Sequence, residues 1–208
     1  MTIAVFVLYA SLAFELLFLA VPSEASTWQV MRPASRSVSP VLGTIRSESR
    51  AFRLVWWALP TGLGIGLFLL PLATLVWPAL VGVLGHLPQL ARPEIAWIGI
   101  AIGSLGRALS LAAIVQLRRC RGSALEIAHF TPHGLYGWSR NPGLVGMYAF
   151  YLGLCFVTPC LVLWLGALVY GWNMDRRVRI EEQHLRGVFG ATFESYCSKV
   201  PRYLGVRR

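Results

Sequence analysis

Apolar stretches near the length of a bilayer crossing leave this chain few folds to choose from. They run over residues 3–21, 54–84, 95–117, 143–157 and 160–172. A membrane-spanning helix needs about 20 mostly apolar residues at 1.5 Å rise each. The composition agrees: 56% of the residues are hydrophobic, 13% are charged and the mean hydropathy is +0.59. A soluble domain carries about 25% charged residues, so charge is roughly halved here. The expected fold class is all-α: a polytopic transmembrane helix bundle of about five spans with a cytosolic C-terminal helical segment. One integral membrane domain over residues 1–208 is the natural count.

Charge then orients the bundle. The formal net charge is +10, and every basic residue except Lys199 is arginine. The arginines cluster at 32–53, 118–121 and 176–208, and such clusters flank spans on the cytoplasmic side. The expected topology has the N-terminus outside and the C-terminus in the cytoplasm. The preference for arginine over lysine points to a GC-rich bacterial genome, hence a multi-pass protein of a bacterial inner membrane. The basic clusters are read as orientation signals in contact with the lipid bilayer, and no motif favours nucleic acid. Cys120, Cys155, Cys160 and Cys197 form no CxxC, so free thiols are expected, with no metal and no disulfide.

Residues 1–25 lack a basic leading region, and Glu15 interrupts their apolar run. A retained first span is therefore preferred to a cleaved signal. The segment that follows holds Arg32, Arg36, Arg46, Arg50 and Arg53 and reads as a loop or an interfacial helix. Residues 54–84 are too long for one span and are punctuated by Pro60, Pro71 and Pro78. A hairpin there would set the 118–121 arginines opposite the 32–53 cluster, so a single kinked span with an outer extension is expected. Gly62, Gly64 and Gly66 follow no strand and are packing residues, not a phosphate loop. Gly99 and Gly103 form a GxxxG, a plausible packing face.

Two charges fall inside apolar chain, Glu15 in the first span and Arg107 in the third. Intramembrane charge is costly and calls for a named partner. Both are expected to face the bundle interior, where they can pair. The alternative is a snorkelling Arg107 with Glu15 on backbone or water.

Two polar segments flank the last apolar pair. The first contains His133, Gly134, Leu135, Tyr136, Trp138, Arg140, Asn141 and Pro142. Its prolines and glycines fix irregular backbone at the mouth of a span, where free N–H and C=O groups can grip a polar ligand. Arg140 suits a carboxylate, and Tyr136 and Trp138 offer aromatic faces to a base or a cation. Thr158–Pro159 is the turn between two short arms. From Asp175 the chain reads as a separate amphipathic helix with Leu185, Val188 and Phe189 on one face. That helix carries Glu181 and Glu182, which point about 100° apart and are therefore no single acid–base dyad. One of them can face the site, where a carboxylate suits an ammonium or a sulfonium. Taken singly, each motif is also compatible with an ordinary helix start.

The order Gly134-x-Tyr136-x-x-x-Arg140-Asn141-Pro142, an apolar hairpin, then Glu181-Glu182-x-x-Leu185-x-x-x-Phe189-Gly190-x-x-Phe193-x-x-Tyr196-x-x-x-Val200-Pro201 resembles the isoprenylcysteine carboxyl methyltransferase family. That family is grouped with the phospholipid N-methyltransferases. The resemblance covers residues 129–202, the expected catalytic core, whereas 1–128 match only as apolar spans and a basic loop. It implies a polytopic enzyme that takes S-adenosylmethionine in a cytosolic pocket and admits a lipophilic small-molecule substrate from the bilayer. It further implies that His133, Gly134, Leu135 and Tyr136 line the cofactor pocket. Arg140, Asn141, Pro142, Glu181 and Glu182 match the family's remaining cofactor motif, with Arg140, Glu181 and Glu182 as its catalytic candidates. Leu144, Tyr148, Arg107 and Glu15 are the candidates on the substrate side. The family often has Tyr at the place of Leu144 and His at the place of Asn141.

The expected activity is methyl transfer from S-adenosylmethionine to a membrane-partitioned carboxylate, amine or thiol. A carboxylate acceptor would need no base, whereas an amine or thiol must lose a proton. Two other readings are kept: an NADPH-dependent enzyme resembling the sterol reductases, and a non-catalytic membrane protein that retains the fold.

Overall fold

A computed structural model of the chain describes residues 2–15, 49–120 and 134–204; within them the side chains of Arg50, Arg53, Trp57, Ala58, Thr61, Ile65, 117–120, His184 and Val188 are not described. The basic segment at Arg32, Arg36 and Arg46, the arginines at 118–121 and His133 thus fall outside this description. The described residues are helices joined by turns and short loops, with no strand among them. They form α1 (Thr2–Phe14), α2 (Arg50–Arg53), a π-helical turn (Leu54–Ala58), α3 (Leu59–Val76), α4 (Leu80–Val83), α5 (Pro93–Cys120), α6 (Leu135–Trp138), α7 (Pro142–Val157), α8 (Leu161–Phe189) and α9 (Ala191–Lys199). Among them one stretch, Pro93–Gln116, is both long and apolar enough to cross a bilayer; Thr2–Phe14, Gly62–Val76 and Pro142–Val157 are apolar but shorter.

The centre of the bundle is a seam between α5 and α7 built from small residues. On α5 they stand at Gly99, Gly103, Gly106, Ser110 and Ala113; α7 answers with Gly143, Gly146 and Gly153. Spacings of three and four residues keep each set on one stripe of its helix. The backbones approach so closely that a Cβ on Gly106 would lie 2.5 Å from the Gly146 carbonyl oxygen and from the Phe150 nitrogen. A Cβ on Gly153 would lie 2.5 Å from the Gly99 oxygen. Gly99 thus has the packing role its motif foreshadows. Gly62 and Gly66 have no such neighbour, and Gly64 meets only the Tyr170 ring at 3.9 Å.

Around the seam α1, α3 and α8 close an apolar core that includes Val5, Phe68, Phe150, Tyr151 and Leu163. Tyr9 donates its hydroxyl to the Phe68 carbonyl and so ties α1 to α3. Residues 54–76 are continuously helical, as expected of a single kinked stretch rather than a hairpin. Pro71 lies within α3, the chain breaks at 77–79 and the four-residue α4 follows.

At one end of the bundle the loop after α4 meets the turn between α7 and α8. Leu161 and Val162 open α8 with backbone N–H groups that lack an intrahelical partner. They donate to the carbonyls of Gly85 (2.8 Å) and Leu84 (3.3 Å), and Leu87 N–H donates to Pro159 (2.9 Å). Gly85 makes this approach with φ +76°, a conformation that favours glycine.

α8 departs from the sequence expectation. The short apolar arm and the separate helix from Asp175 are one unbroken helix of 29 residues. At 1.5 Å per residue it is about 44 Å long. Nothing between Trp172 and Asp175 breaks it: the Trp-Asn-Met-Asp run has neither Gly nor Pro. Polarity changes there, but helicity does not. Arg176 marks the change, its guanidinium 5.0 Å from the Trp56 ring centre, 5.8 Å from Phe52 and 5.9 Å from Trp172. It also donates to the Trp56 carbonyl in the π-helical turn at 3.3 Å. α8 ends at Gly190 (φ +49°), where α9 turns back and Phe193, Tyr196 and Val200 pack with Leu185 and Phe189.

Arg107 and Glu15 do pair. Arg107 Nη1 lies 2.6 Å from Glu15 Oε2, with the two side chains 3% and 8% exposed. Arg107 also donates to Ser11 through Nε to Oγ and Nη2 to the backbone oxygen, both at 3.0 Å, and stacks over Phe150 at 5.5 Å. α1 is thereby held to α5 by charge as well as by packing.

Two predictions follow from these contacts. Gly106→Val drives side-chain atoms into the α7 backbone and should lower stability by about 1–3 kcal/mol or prevent folding. Gly62→Ala, with open space around it, should leave the detergent-solubilised protein as stable as wild type or more so. Equal melting shifts would show that the seam is not tight. Glu15→Gln should cost about 3–5 kcal/mol because it strands a buried guanidinium. The double substitution Glu15→Met with Arg107→Met should recover most of that loss, and additive losses would deny the coupling.

Candidate functional site

The polar corner begins where α5 ends. Gln116 Oε1 accepts the Leu135 N–H at 3.1 Å and fixes the start of α6. Gly134 has φ +56° and ψ −133°, and a Cβ there would sit 2.7 Å from Gln116 Nε2. The positive φ favours glycine here, and a side chain would also push the Gln116 amide from its place. α6 then runs into Ser139, Arg140 and Asn141, and Pro142 opens α7 as its first residue. Proline suits that place because its missing N–H has no partner to lose there.

The irregular backbone of this corner is satisfied by the chain that follows α9. Arg140 N–H donates to the Pro201 carbonyl at 2.9 Å. Asn141 Nδ2 and Ser139 Oγ both donate to the Arg202 carbonyl, at 3.0 and 3.4 Å. Tyr196 donates its hydroxyl to the Tyr136 carbonyl at 2.8 Å, and burial raises the pKa of that phenol, so it stays a neutral donor. The Asn141 amide is therefore directed at the 200–204 segment.

Behind the corner stands Glu182. It is buried, whereas Glu181 one residue earlier is exposed; adjacent helix positions point about 100° apart. Arg140 Nη1 lies 2.9 Å from Glu182 Oε1. Arg202 grips the same carboxylate with both arms, Nε to Oε1 at 3.0 Å and Nη2 to Oε2 at 2.6 Å. Arg186 approaches Oε2 at 3.9 Å and pairs more closely with Glu194 at 2.8 Å. One buried carboxylate thus organises three guanidinium groups. Arg140 Nη1 also lies 2.7 Å from Cys197 Sγ. Burial raises the Cys197 pKa against the opposing charge of Arg140, so its sulfur is a thiol at neutral pH. Arg140 Nε is buried and has no hydrogen-bond partner among the described residues.

Asp175 lies two turns before Glu182 on α8. Burial pulls its pKa up, but hydrogen bonds from Arg179 and Tyr203 and the charges of Arg179 and Arg202 outweigh that and hold it below the usual carboxylate value. Tyr203 donates to Asp175 Oδ1 at 3.1 Å, and Arg202 Nη1 stands 3.8 Å from the same oxygen.

The residues expected on the substrate side divide into two groups. Leu144 and Tyr148 are one turn apart on α7, both half-buried. Tyr148 stacks nearly parallel on Tyr170 of α8, 6.3 Å between ring centres, and packs against Gly171. Arg107 and Glu15 stand elsewhere: Arg107 precedes Gln116 by nine residues of α5, about 14 Å along the helix axis. The structure thus brings Arg140 and Glu182 together and leaves the Arg107–Glu15 pair deeper in the bundle. Arg202, Gln116, Ser139 and Cys197 were not singled out from sequence. Their partners are distant in the chain, and only the position of Arg202 directly after the Val200-Pro201 motif marked it.

The model of the phospholipid methyltransferase family matches residues 95–192, just under half of the chain. The match starts at the third residue of α5, well before the expected boundary at 129, and stops two residues into α9. No curated protein and no solved structure matches the chain. The seam, α6 and Glu182 thus lie within the stretch that resembles the phospholipid methyltransferase family, whereas Tyr196, Pro201 and Arg202 lie beyond it.

Proposed function

We propose that this chain is an integral membrane methyltransferase that moves a methyl group from S-adenosylmethionine to a lipophilic acceptor. The observation that carries this reading is the buried Arg140–Glu182 pair at the corner between α6 and α8, inside the family-matched stretch. The site's own chemistry fits the cofactor. Arg140 Nε is a buried donor without a partner, and it suits the carboxylate of an amino acid. Glu182 suits a positive group. Gly134 and Leu135 contribute backbone, Tyr136 contributes a half-buried ring beside them, and His133 directly precedes them in the chain. S-adenosylmethionine, when bound, supplies an electrophilic methyl carbon on a sulfonium.

The protein's part is alignment and exclusion of water. Arg140 orients the cofactor's amino-acid end, and Glu182 holds Arg140 in place. The Leu144–Tyr148 face of α7 leads the acceptor from the apolar bundle toward that pair. Carboxylate, amine and thiol acceptors all fit this arrangement. A carboxylate acceptor attacks without losing a proton. For an amine or thiol, the exposed Glu181 offers a carboxylate to receive one.

The bundle is proposed to cross the membrane five times, with this site on the cytoplasmic side of a bacterial inner membrane. Arg140, Arg176, Arg177, Arg179, Arg186 and Arg202 gather at the site's end, and Arg92 lies in the loop at the other, which is the asymmetry of a positive-inside protein.

Calorimetric titration of purified protein with S-adenosylhomocysteine tests the reading. Wild type should bind, and Arg140→Ala should weaken binding by roughly ten- to a hundredfold, the range for losing a charged hydrogen bond. Glu182→Gln should weaken it in the same direction. Absence of binding, or retention of NADPH instead, would sink the proposal. A lipid extract incubated with enzyme and labelled S-adenosylmethionine, resolved by mass, should then yield a labelled product that names the acceptor.

A further inference from the structure

Arg202 lies ten residues past the end of the family match, yet it makes the closest contact to Glu182. Its surroundings separate what is fixed from what can move. The backbone at 201–202 is docked, because the Pro201 and Arg202 carbonyls accept from Arg140, Asn141 and Ser139. The guanidinium is only a quarter exposed and lies between two carboxylates of α8. Glu182 is engaged through both of its oxygens, and Asp175 stands 3.8 Å away. Asp175 and Glu182 are seven residues apart, two helical turns, and so share a face of α8. A long side chain on an anchored backbone therefore has two anionic positions within its reach.

Glu182 has little free capacity in this arrangement. Arg202 takes both oxygens and Arg140 one of them, so a positive ligand can reach the carboxylate only by replacing a guanidinium. Arg140 is the less replaceable of the two. It leaves a corner pinned at its own N–H, and it is more deeply buried, 13% against 25% exposed.

We propose that Arg202 is a gating residue of the site: it holds Glu182 while the position of the cation is empty and shifts toward Asp175 when the sulfonium takes Glu182. The inference rests on the methyltransferase reading and deepens it. It makes the site selective for a charged sulfur over a neutral one. S-adenosylmethionine displaces Arg202 from Glu182, whereas the uncharged thioether product cannot, so the returning guanidinium favours product release.

The test compares two ligands on the full chain in lipid nanodiscs by calorimetry. S-adenosylhomocysteine has a neutral sulfur, and sinefungin has an ammonium in its place. Arg202→Gln removes the competitor, and sinefungin should gain about tenfold in affinity relative to S-adenosylhomocysteine, the scale of one charge-assisted hydrogen bond. Asp175→Asn removes the position Arg202 retreats to, and sinefungin should lose severalfold relative to S-adenosylhomocysteine. A purely structural role predicts parallel weakening of both ligands in both variants, and that result overturns the gate. An unchanged ratio in Asp175→Asn overturns it as well, even if Arg202→Gln does not fold. If wild type binds neither ligand, the methyltransferase reading fails and the gate fails with it; if wild type binds both and the ratios do not move, the gate alone fails.

Discussion

The approach of α5 to α7 is the constraint on which the rest of this protein depends. Within lipid the hydrophobic effect gives helices little reason to associate, and close packing of backbones takes its place. Here the absence of Cβ atoms at Gly99, Gly106, Gly146 and Gly153 lets carbonyl oxygens come to within 2.5–2.7 Å of where those atoms would be. Such contacts are possible only in one register, so the seam fixes both the separation and the axial offset of the two helices. Gly99 pairs with Gly153 toward one end, and Gly143 meets Ala113 at 3.7 Å toward the other. That second end is where α5 presents Gln116 and α7 begins at Pro142. The polar corner is therefore placed by residues that carry no polar group.

The corner in turn depends on chain from far away. Irregular backbone packed against a helix bundle must find partners, since unpaired N–H and C=O groups are costly where water is scarce. Its partners here are the Pro201 and Arg202 carbonyls and the Tyr196 hydroxyl. Glu182 closes the arrangement from a third direction. A buried carboxylate needs compensating charge, and Arg140 and Arg202 come from the two segments that the backbone hydrogen bonds already join. The charge pairing and the backbone pairing reinforce each other. Neither α6 nor α9, at four and nine residues, has the length to be stable alone.

Much of this was legible in the residues. The all-helical class followed from apolar runs, and the corner from Gly134, Arg140 and Pro142. The opposite fates of Glu181 and Glu182 follow from helix geometry, whereas the pairing of Glu15 with Arg107 is only one of two outcomes that charge in apolar chain allows, the other being a snorkelling Arg107. What was not legible has physical reasons. The continuity of α8 is hidden in the sequence because polarity changes at Trp172–Asp175, and hydrophobic pattern reports the environment of a helix, not its ends. Asn173 and Asp175 imitate a helix start in the sequence, but no Gly or Pro is present there to end the preceding helix. Gly99 was recognised as a packing residue, but the partnership of Gly106 with Gly146 was not, because a close contact depends on two stripes meeting in register. Arg202 reads in the sequence as one basic residue among many, because its contacts with Glu182 and Asp175 arise only once α9 turns the chain back at Gly190.

The unbroken α8 has a mechanical consequence for the proposed chemistry. Its apolar half packs against the seam, and its polar half carries Asp175 and Glu182, so the site is rigidly connected to the bundle core. Ten residues separate Glu182 from Trp172, which sets the carboxylate about 15 Å beyond the tryptophan along the helix axis. Trp56 and Trp172, both partly exposed and gathered around Arg176, have the character of residues at a membrane–water boundary. Under the methyltransferase reading, an acceptor drawn from the bilayer must then raise its reacting atom above the hydrocarbon edge while its apolar part remains between helices. The face of α7 that carries Leu144 and Tyr148 runs in that direction and starts one turn after Arg140. Under that reading a side chain at 144, half-buried in the first turn of α7, would lie between the apolar approach and the polar corner. Leucine there offers no hydroxyl, so under the same reading the acceptor's polar group would first meet an apolar side chain.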